Sequence, residues 1–287
     1  RGFGVPQAAI ANECLMDDLA ERLDLDRWQI RRINALGNGD TTASGQVLLQ
    51  SAGLPQCLDA LKPAWDQALA DAAAHNATNP RHKRGTGIAC MWYGCGNTAL
   101  PNPSEMRVTL ERDGRVVIWS GAVDIGQGVS TILKQIVASA LAIDGARFEL
   151  CGNVGDTHLT LDAGKTSASR QTFVSGNAAR LAALDLRSRL ERAANVASGA
   201  PMRIADGAVV VGSHAERRVV IKDILEGRGR YDPETTKLDE NGQGIPYATY
   251  GFAAQIAEVL VDTALGTTKV IGAVTAQLPS ACVATAT

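Results

Sequence analysis

Along the first eighty residues the apolar positions recur at helical spacing. Ala8, Ile10, Ala11, Leu15, Leu19 and Leu23 are separated by acidic residues and predict a helix over about 7–23. Asp24-Leu25-Asp26 breaks the pattern, and Asp26 is placed to cap a second helix carrying Trp28, Ile30 and Ile33, which ends at Gly37-Asn38-Gly39. After Gly53-Leu54-Pro55, a third helix is predicted from Cys57 to about His75, with Leu58, Leu61, Trp65 and Leu69 on one face. The polar, proline-containing stretch 76–83 reads as a linker. Residues 1–80 thus form a helical unit.

Beyond it the period changes. Gly85 to Tyr93 is a compact apolar run and reads as a strand. Met106, Val108 and Leu110 alternate before Asp113-Gly114, and Val116 to Trp119 follow, a hairpin signal. The loop Gly121–Gly128 leads into a helix with Val129, Ile132, Leu133, Ile136 and Val137. Phe148 to Cys151 reads as a short strand, and a long helix with Val174, Ala178, Leu181 and Leu184 follows the Ser/Thr cluster at 166–169. Two short strands over 208–221 and a longer pair over 247–274, turned at Ala264-Leu265-Gly266, complete the pattern. The expectation is an α+β fold, with mixed sheets, hairpins and long covering helices.

Composition narrows the function classes. With 287 residues, 28 Lys+Arg and 30 Asp+Glu, the net charge of −2 excludes a strongly basic nucleic-acid binder. No apolar run approaches the length of a membrane span. Six cysteines are scattered without a Cys-x-x-Cys spacing, so zinc-ribbon and iron–sulfur ligand sets are missing; sparse thiols favour a reducing, cytoplasmic setting. The four histidines show no ligand spacing and read as solvated surface residues.

Three segments can carry chemistry. Gly126-Gln127-Gly128 lies between a strand and a helix, where two glycines admit a ligand close to the backbone and the helix start can receive an anion; a tight structural turn would look the same. Thr166-Ser167-Ala168-Ser169 stands between Lys165 and Arg170, which is either a phosphate-coordinating set or ordinary helix capping. Arg1-Gly2-Phe3-Gly4 places a guanidinium and an aromatic ring in a glycine-rich turn ahead of a helix.

These segments together resemble the molybdopterin-binding large subunit of the xanthine dehydrogenase/aldehyde oxidase family of molybdenum hydroxylases. Arg1-Gly2-Phe3-Gly4-Val5-Pro6-Gln7 is similar to the family's Arg-Gly-Phe-Gly-Gly-Pro-Gln loop, with Val5 in place of a glycine. Arg31-Arg32-Ile33-Asn34 resembles the helix end after that loop. Val123 to Gly128 resembles the Gly-Gln-Gly loop at the pterin, Thr166 to Gln171 resembles a small-residue cofactor loop, and Tyr250-Gly251 resembles the start of a late strand. The likeness runs in family order from residue 1 to about 275.

The resemblance implies a two-domain molybdopterin-binding architecture: residues 1–80 as the helical end of a first domain, 81–276 as an incomplete second one, and 277–287 as an atypical tail. It implies oxidation of an aldehyde or an N-heterocycle with water as the oxygen source, on a molybdenum–molybdopterin cofactor, bare or as a dinucleotide. Arg1, Gly2, Gly126, Gln127, Gly128, Thr166, Ser167, Ala168 and Ser169 would contact the cofactor; Phe3, Cys90 and Met91 would face a small-molecule substrate. Iron–sulfur clusters and any flavin would lie on partner domains or subunits, with a second molybdopterin-binding chain as a further partner. The family's base, a Glu in Gly-x-Gly-Glu, has no counterpart in this sequence, so no catalytic residue is assigned. A noncatalytic cofactor-binding or assembly module, or an inactive truncated fragment, is the alternative. Where the family continues into His-Asp-x-Gly, this chain passes from Ala276 into Gln277-Leu278-Pro279, which suggests a frame change or a truncated reading near Ala276.

Overall fold

The computed structural model describes residues 2–50, 52–151, 156–213 and 216–278. In chain order the elements are α1 (Val5–Arg22), α2 (Arg27–Asn34), α3 (Leu54–Thr78), β1 (His82–Gly94), β2 (Ser104–Leu110), β3 (Arg115–Trp119), α4 (Val129–Leu141), β4 (Ile143–Asp144) and β5 (Arg147–Leu150). A π-type turn at Gln171–Ser175 then leads into α5 (Gly176–Ala194). β6 (Met202–Ala205), β7 (Ala208–Val211), β8 (Arg217–Val220), β9 (Leu225–Tyr231), β10 (Tyr250–Asp262) and β11 (Thr267–Leu278) follow. Helices and mixed sheets give an α+β fold. The described residues divide into two compact units, one from residue 2 to 93 with 239–244 and 249–278, the other 94–238 with 245–248.

In the first unit α3 packs on a sheet ordered β1-β10-β11. Leu58, Leu61 and Trp65 of α3 meet Ile88 of β1 and Ala254 and Ile256 of β10. Asp26 does cap α2, accepting from Trp28 N at 2.8 Å and Gln29 N at 3.1 Å, and the same carboxylate accepts from Trp65 Nε1 at 3.0 Å. One side chain thus ends a loop, starts a helix and ties it to α3. Because β1 shares this core with α3, the compact units follow a different division from a boundary at residue 80. The stretch 76–83 is mostly the last turn of α3 and the start of β1. The predicted apolar face of α1 is not packed among the described residues: Ile10, Leu15, Leu19 and Leu23 are exposed and only Ala20 is buried. Leu69 of α3 likewise faces outward.

In the second unit the sheets are ordered β5-β3-β2-β9 and β4-β6-β7-β8. The predicted hairpin is present as β2 and β3, paired Arg107↔Trp119 to Leu110↔Val116. β3 also pairs parallel to β5, with α4 as the crossover. Met106, Val108 and Leu110 of β2 and Val116 and Ile118 of β3 bury against Leu133, Val137 and Leu141 of α4 and Ala178, Ala182, Leu186 and Leu190 of α5. β9 has no counterpart in the apolar pattern. Its inward positions are Gly227 and Gly229, where a Cβ would overlap the α5 backbone at Ala182 and Ala178, so helix and strand meet at backbone distance.

Candidate cofactor site

The two loops singled out in the second unit leave the ends of its core elements. The first departs from β3, where Ser120 is fully buried and its Oγ accepts from Ala122 N at 3.0 Å. Residues Val123 to Gln127 are exposed. Gly126 and Gly128 have φ of +102° and +83°, a conformation glycine adopts without strain, and nothing lies within 4 Å of where either Cβ would be. Their outer face is therefore open to close approach.

The start of α4 behaves differently from the expectation. Asp124 already occupies part of what an external anion would meet there: Oδ1 accepts from Gly126 N at 2.9 Å and Gly128 N at 3.3 Å, and Oδ2 from Ser130 N at 3.1 Å. These bonds, that from Ser130 first, hold the Asp124 carboxyl below its ordinary range. Gln127 is also turned onto its own loop, with Oε1 accepting from Ile125 N at 2.7 Å and Nε2 donating to Val123 O at 3.2 Å. Its side chain shapes the turn.

The second loop runs from Gly164 to Arg170. Ala168 and Ser169 have φ of +52° and +56°, consecutive left-handed positions occupied by non-glycine residues. Such backbone costs energy and concentrates where a structure has a use for it. Among the described residues the Ser167 and Ser169 hydroxyls have no hydrogen-bond partner, and Lys165 makes no ion pair. Ordinary capping is not what these hydroxyls do: α5 begins after the π-type turn, without a side-chain cap bond. Arg170, by contrast, is not an outward cation. It is 1% exposed and bonded to backbone carbonyls.

Thr166 joins the loops. Its Oγ1 accepts from Val123 N at 3.0 Å and from Gln171 Nε2 at 3.1 Å. Gln171 also donates to Lys165 O at 3.0 Å and accepts a short hydrogen bond from Ser175 Oγ, which lies 2.9 Å from Ser104 Oγ on β2. The spacing of Thr166 and Val123 in sequence carried no hint of this bridge, nor of Gln171 and Ser175 as its supports.

The other candidates lie in the first unit. Gly2 has φ +66°, and a Cβ there would stand 2.7 Å from Pro6 Cδ, so the turn into α1 requires glycine. Val5 opens α1 in place of a glycine. Arg1 and the Phe3 side chain, like His214 and Cys282, lie outside the described residues. Cys90 and Met91 are neighbours on β1 and so point to opposite faces. Cys90 packs toward the α3 core, where burial pushes its thiol up to about 12; Met91 is exposed. Arg31, on the helix end, is buried with Glu13 Oε2 at 2.7 Å and Asp17 Oδ1 at 2.8 Å, and the two carboxylates outweigh burial and raise its pKa. Tyr250 is buried on β10, donating to Gln46 Oε1 at 2.7 Å. Among the described residues no cluster of His, Cys, Asp or Glu could hold a metal ion directly, and no helix is long and apolar enough to cross a membrane.

A molybdopterin cofactor-binding domain family matches residues 60–277, and a second family of the same description matches residues 1–35. The chain belongs to the molybdopterin-binding part of the xanthine dehydrogenase/aldehyde oxidase family. It is 31% identical to the aldehyde oxidoreductase of Megalodesulfovibrio gigas over 98% of this chain and 29% of that protein. It is 34% identical to the xanthine dehydrogenase molybdenum-binding subunit of Escherichia coli O157:H7 over 66% of this chain and 25% of that subunit. The crystal structure of the Desulfovibrio gigas aldehyde oxidoreductase superposes with a TM-score of 0.79 at 29% identity, covering 98% of this chain and 29% of that one. The chain therefore spans less than a third of the length of these relatives. For a molybdopterin-binding domain the donor set fits: the open glycine backbone, the Ser167 and Ser169 hydroxyls and the Lys165 ammonium suit a polar, anionic pterin, and among the described residues no cluster of His, Cys, Asp or Glu competes to hold the metal itself.

Proposed function

We propose that this chain supplies cofactor-holding elements of a molybdenum hydroxylase that oxidises an aldehyde or an N-heterocycle with water as the oxygen source. The observation that carries the reading is the pair of loops coupled through Thr166, whose outer faces offer Gly126, Gly128, Ser167 and Ser169. In this reading Gly126 and Gly128 admit the pterin against the backbone, Ser167, Ala168 and Ser169 line it, and Lys165 balances its phosphate charge. Thr166 and Gln127 keep the two loops in shape for it, and Asp124 holds the start of α4. By the family resemblance, Arg1 and Gly2 would contact the cofactor and Phe3, Cys90 and Met91 the substrate. When bound, the molybdenum–pterin group supplies the two-electron oxidation and the activation of water. The chain's own residues bind and orient. Residues 1–80 and 81–276 belong, on this reading, to the first and second molybdopterin-binding domains.

Iron–sulfur centres on partner domains or subunits would take up the electrons, and a second molybdopterin-binding chain would complete the cofactor site in a cytoplasmic enzyme. Purification of the complete complex with quantification of molybdenum and released pterin tests the reading. Stoichiometric pterin in the wild type, with a several-fold loss in Gly126→Val, is expected, because a β-branched residue cannot hold φ of +102° without strain. A wild-type complex without pterin would overturn it.

A further inference from the structure

In sequence Arg170 closes a polar loop, where a cation would be expected to meet an anion. In the structure it is 1% exposed, and its guanidinium is spent on the backbone. Nη1 donates to Ala163 O at 2.5 Å and Lys165 O at 3.2 Å; Nη2 donates to Asn102 O at 2.9 Å and Pro103 O at 2.7 Å. Nε has no partner, and among the described residues no carboxylate forms an ion pair with it. Burial lowers the pKa of Arg170, the charges of Asp162 and Asp232 offset this only in part, and an apolar side chain would fill the same space at lower cost. What an apolar residue cannot do is bring four carbonyls onto one plane. A lysine cannot either, since its ammonium is a single point rather than a fork.

The loop is wrapped around this fork. Gly164, at φ +64°, passes so close that a Cβ would overlap the guanidinium. Immediately before Arg170 come the two left-handed residues, Ala168 and Ser169. Neither favours that conformation intrinsically, whereas glycine would adopt it freely. The contacts around it are the Arg170 fork, the bond from Arg170 N to Ser167 O at 3.3 Å, and that from Gly96 N to Ala168 O at 2.8 Å.

We infer that Arg170 is a positioning residue for the cofactor: its buried guanidinium holds Ala168 and Ser169 in the left-handed turn that presents this loop to the pterin. The inference rests on the cofactor reading above, and it assigns Arg170 no contact with the cofactor.

The test uses the complete cofactor-loaded complex, with amide exchange over residues 164–170 and pterin retained after dialysis as readouts. Arg170→Lys should lose about 10-fold or more of both, because two left-handed non-glycine residues are no longer held. Adding Ala168→Gly and Ser169→Gly should bring amide protection over 164–170 back to within about 3-fold of the wild type, since glycine adopts this turn without strain; pterin retention is read only in the Arg170 and Gly164 variants, because residues 168 and 169 themselves line the cofactor. The melting temperature of the combined variant should stay low, because the buried carbonyls remain unpaired. A residue that only filled the core would not be rescued by those glycines. Should Arg170→Lys fail to fold, Gly164→Ala displaces the guanidinium without deleting it, and the same two glycines should relieve its effect. Arg170→Lys with wild-type exchange and retention, or absence of rescue in both backgrounds, overturns the inference. Loss of loop protection in a complex whose wild type holds no pterin would instead refute the cofactor reading while leaving the positioning of the turn standing.

Discussion

Replacing Thr166 by Val removes one oxygen and keeps the shape of the side chain. That oxygen accepts two hydrogen bonds, from Val123 N at 3.0 Å and Gln171 Nε2 at 3.1 Å. Each is worth about 1 kcal/mol net, so losing both costs about 2 kcal/mol at most. The two losses are unequal. Val123 is exposed, so water replaces part of its bond, and Gln171 keeps its other acceptor, Lys165 O, at 3.0 Å. About 1–2 kcal/mol is therefore the working range, a roughly 5- to 30-fold rise in the opening equilibrium between the loops. Amide exchange at Val123 reads this directly, because its N–H is the group released. Thr166→Ser keeps the oxygen and should stay near the wild-type rate. The reasoning fails if Val123 exchanges at the same rate in Thr166→Val, or if Thr166→Ser is as fast as Thr166→Val.

The Asp124 carboxyl is held below its ordinary range in the folded state, so the ordering it gives to Gly126 and Ser130 is present above about pH 4 and lost as pH falls through the folded value; proton exchange at those two amides against pH checks the sign. Asp124→Asn should remove that pH dependence, and its persistence would point to another group. Gly229→Val places side-chain atoms against the α5 backbone and should destabilise the second unit by about 3 kcal/mol or more, read as a fall in the denaturant midpoint. Trp65→Ala should cost about 3–5 kcal/mol, since the indole is 2% exposed and also anchors Asp26.

What the amino-acid pattern made legible was the local structure. Asp26 could be read as a cap because capping needs only a short acceptor beside free N–H groups, and it does cap α2. Asp113-Gly114 could be read as a turn because its geometry is set by adjacent residues, and β2 and β3 meet across it. β9 was not legible: its inward positions are glycines, which read as breaks in a strand but serve here to admit α5. Nor does an apolar period say what covers a face. Ile10, Leu15, Leu19 and Leu23 give α1 its helical signal while remaining exposed among the described residues. In the two loops the residue types were legible, but not the direction in which their side chains turn. Arg170 looked like an anion ligand because charge is written in the sequence, whereas direction is not.

The direction of charge explains how the two loops can be both firm and accessible. A helix start attracts anions and a cluster of carbonyls attracts cations, so an unfilled terminus and an unfilled carbonyl cradle would each compete with a cofactor for the wrong partner. Asp124 fills the first from inside its own loop, and Arg170 fills the second from within the core. The strong electrostatic demands of the backbone are thereby met before any ligand arrives. What faces outward is milder: glycine backbone at 126 and 128, hydroxyls at 167 and 169, and the ammonium of Lys165. On the proposed cofactor reading, a polar heterocycle carrying phosphate would meet such a surface without first displacing an internal ion. On this account, Asp124 and Arg170 influence the site most where they do not touch it, and substituting either should change the loops' order before it changes their chemistry.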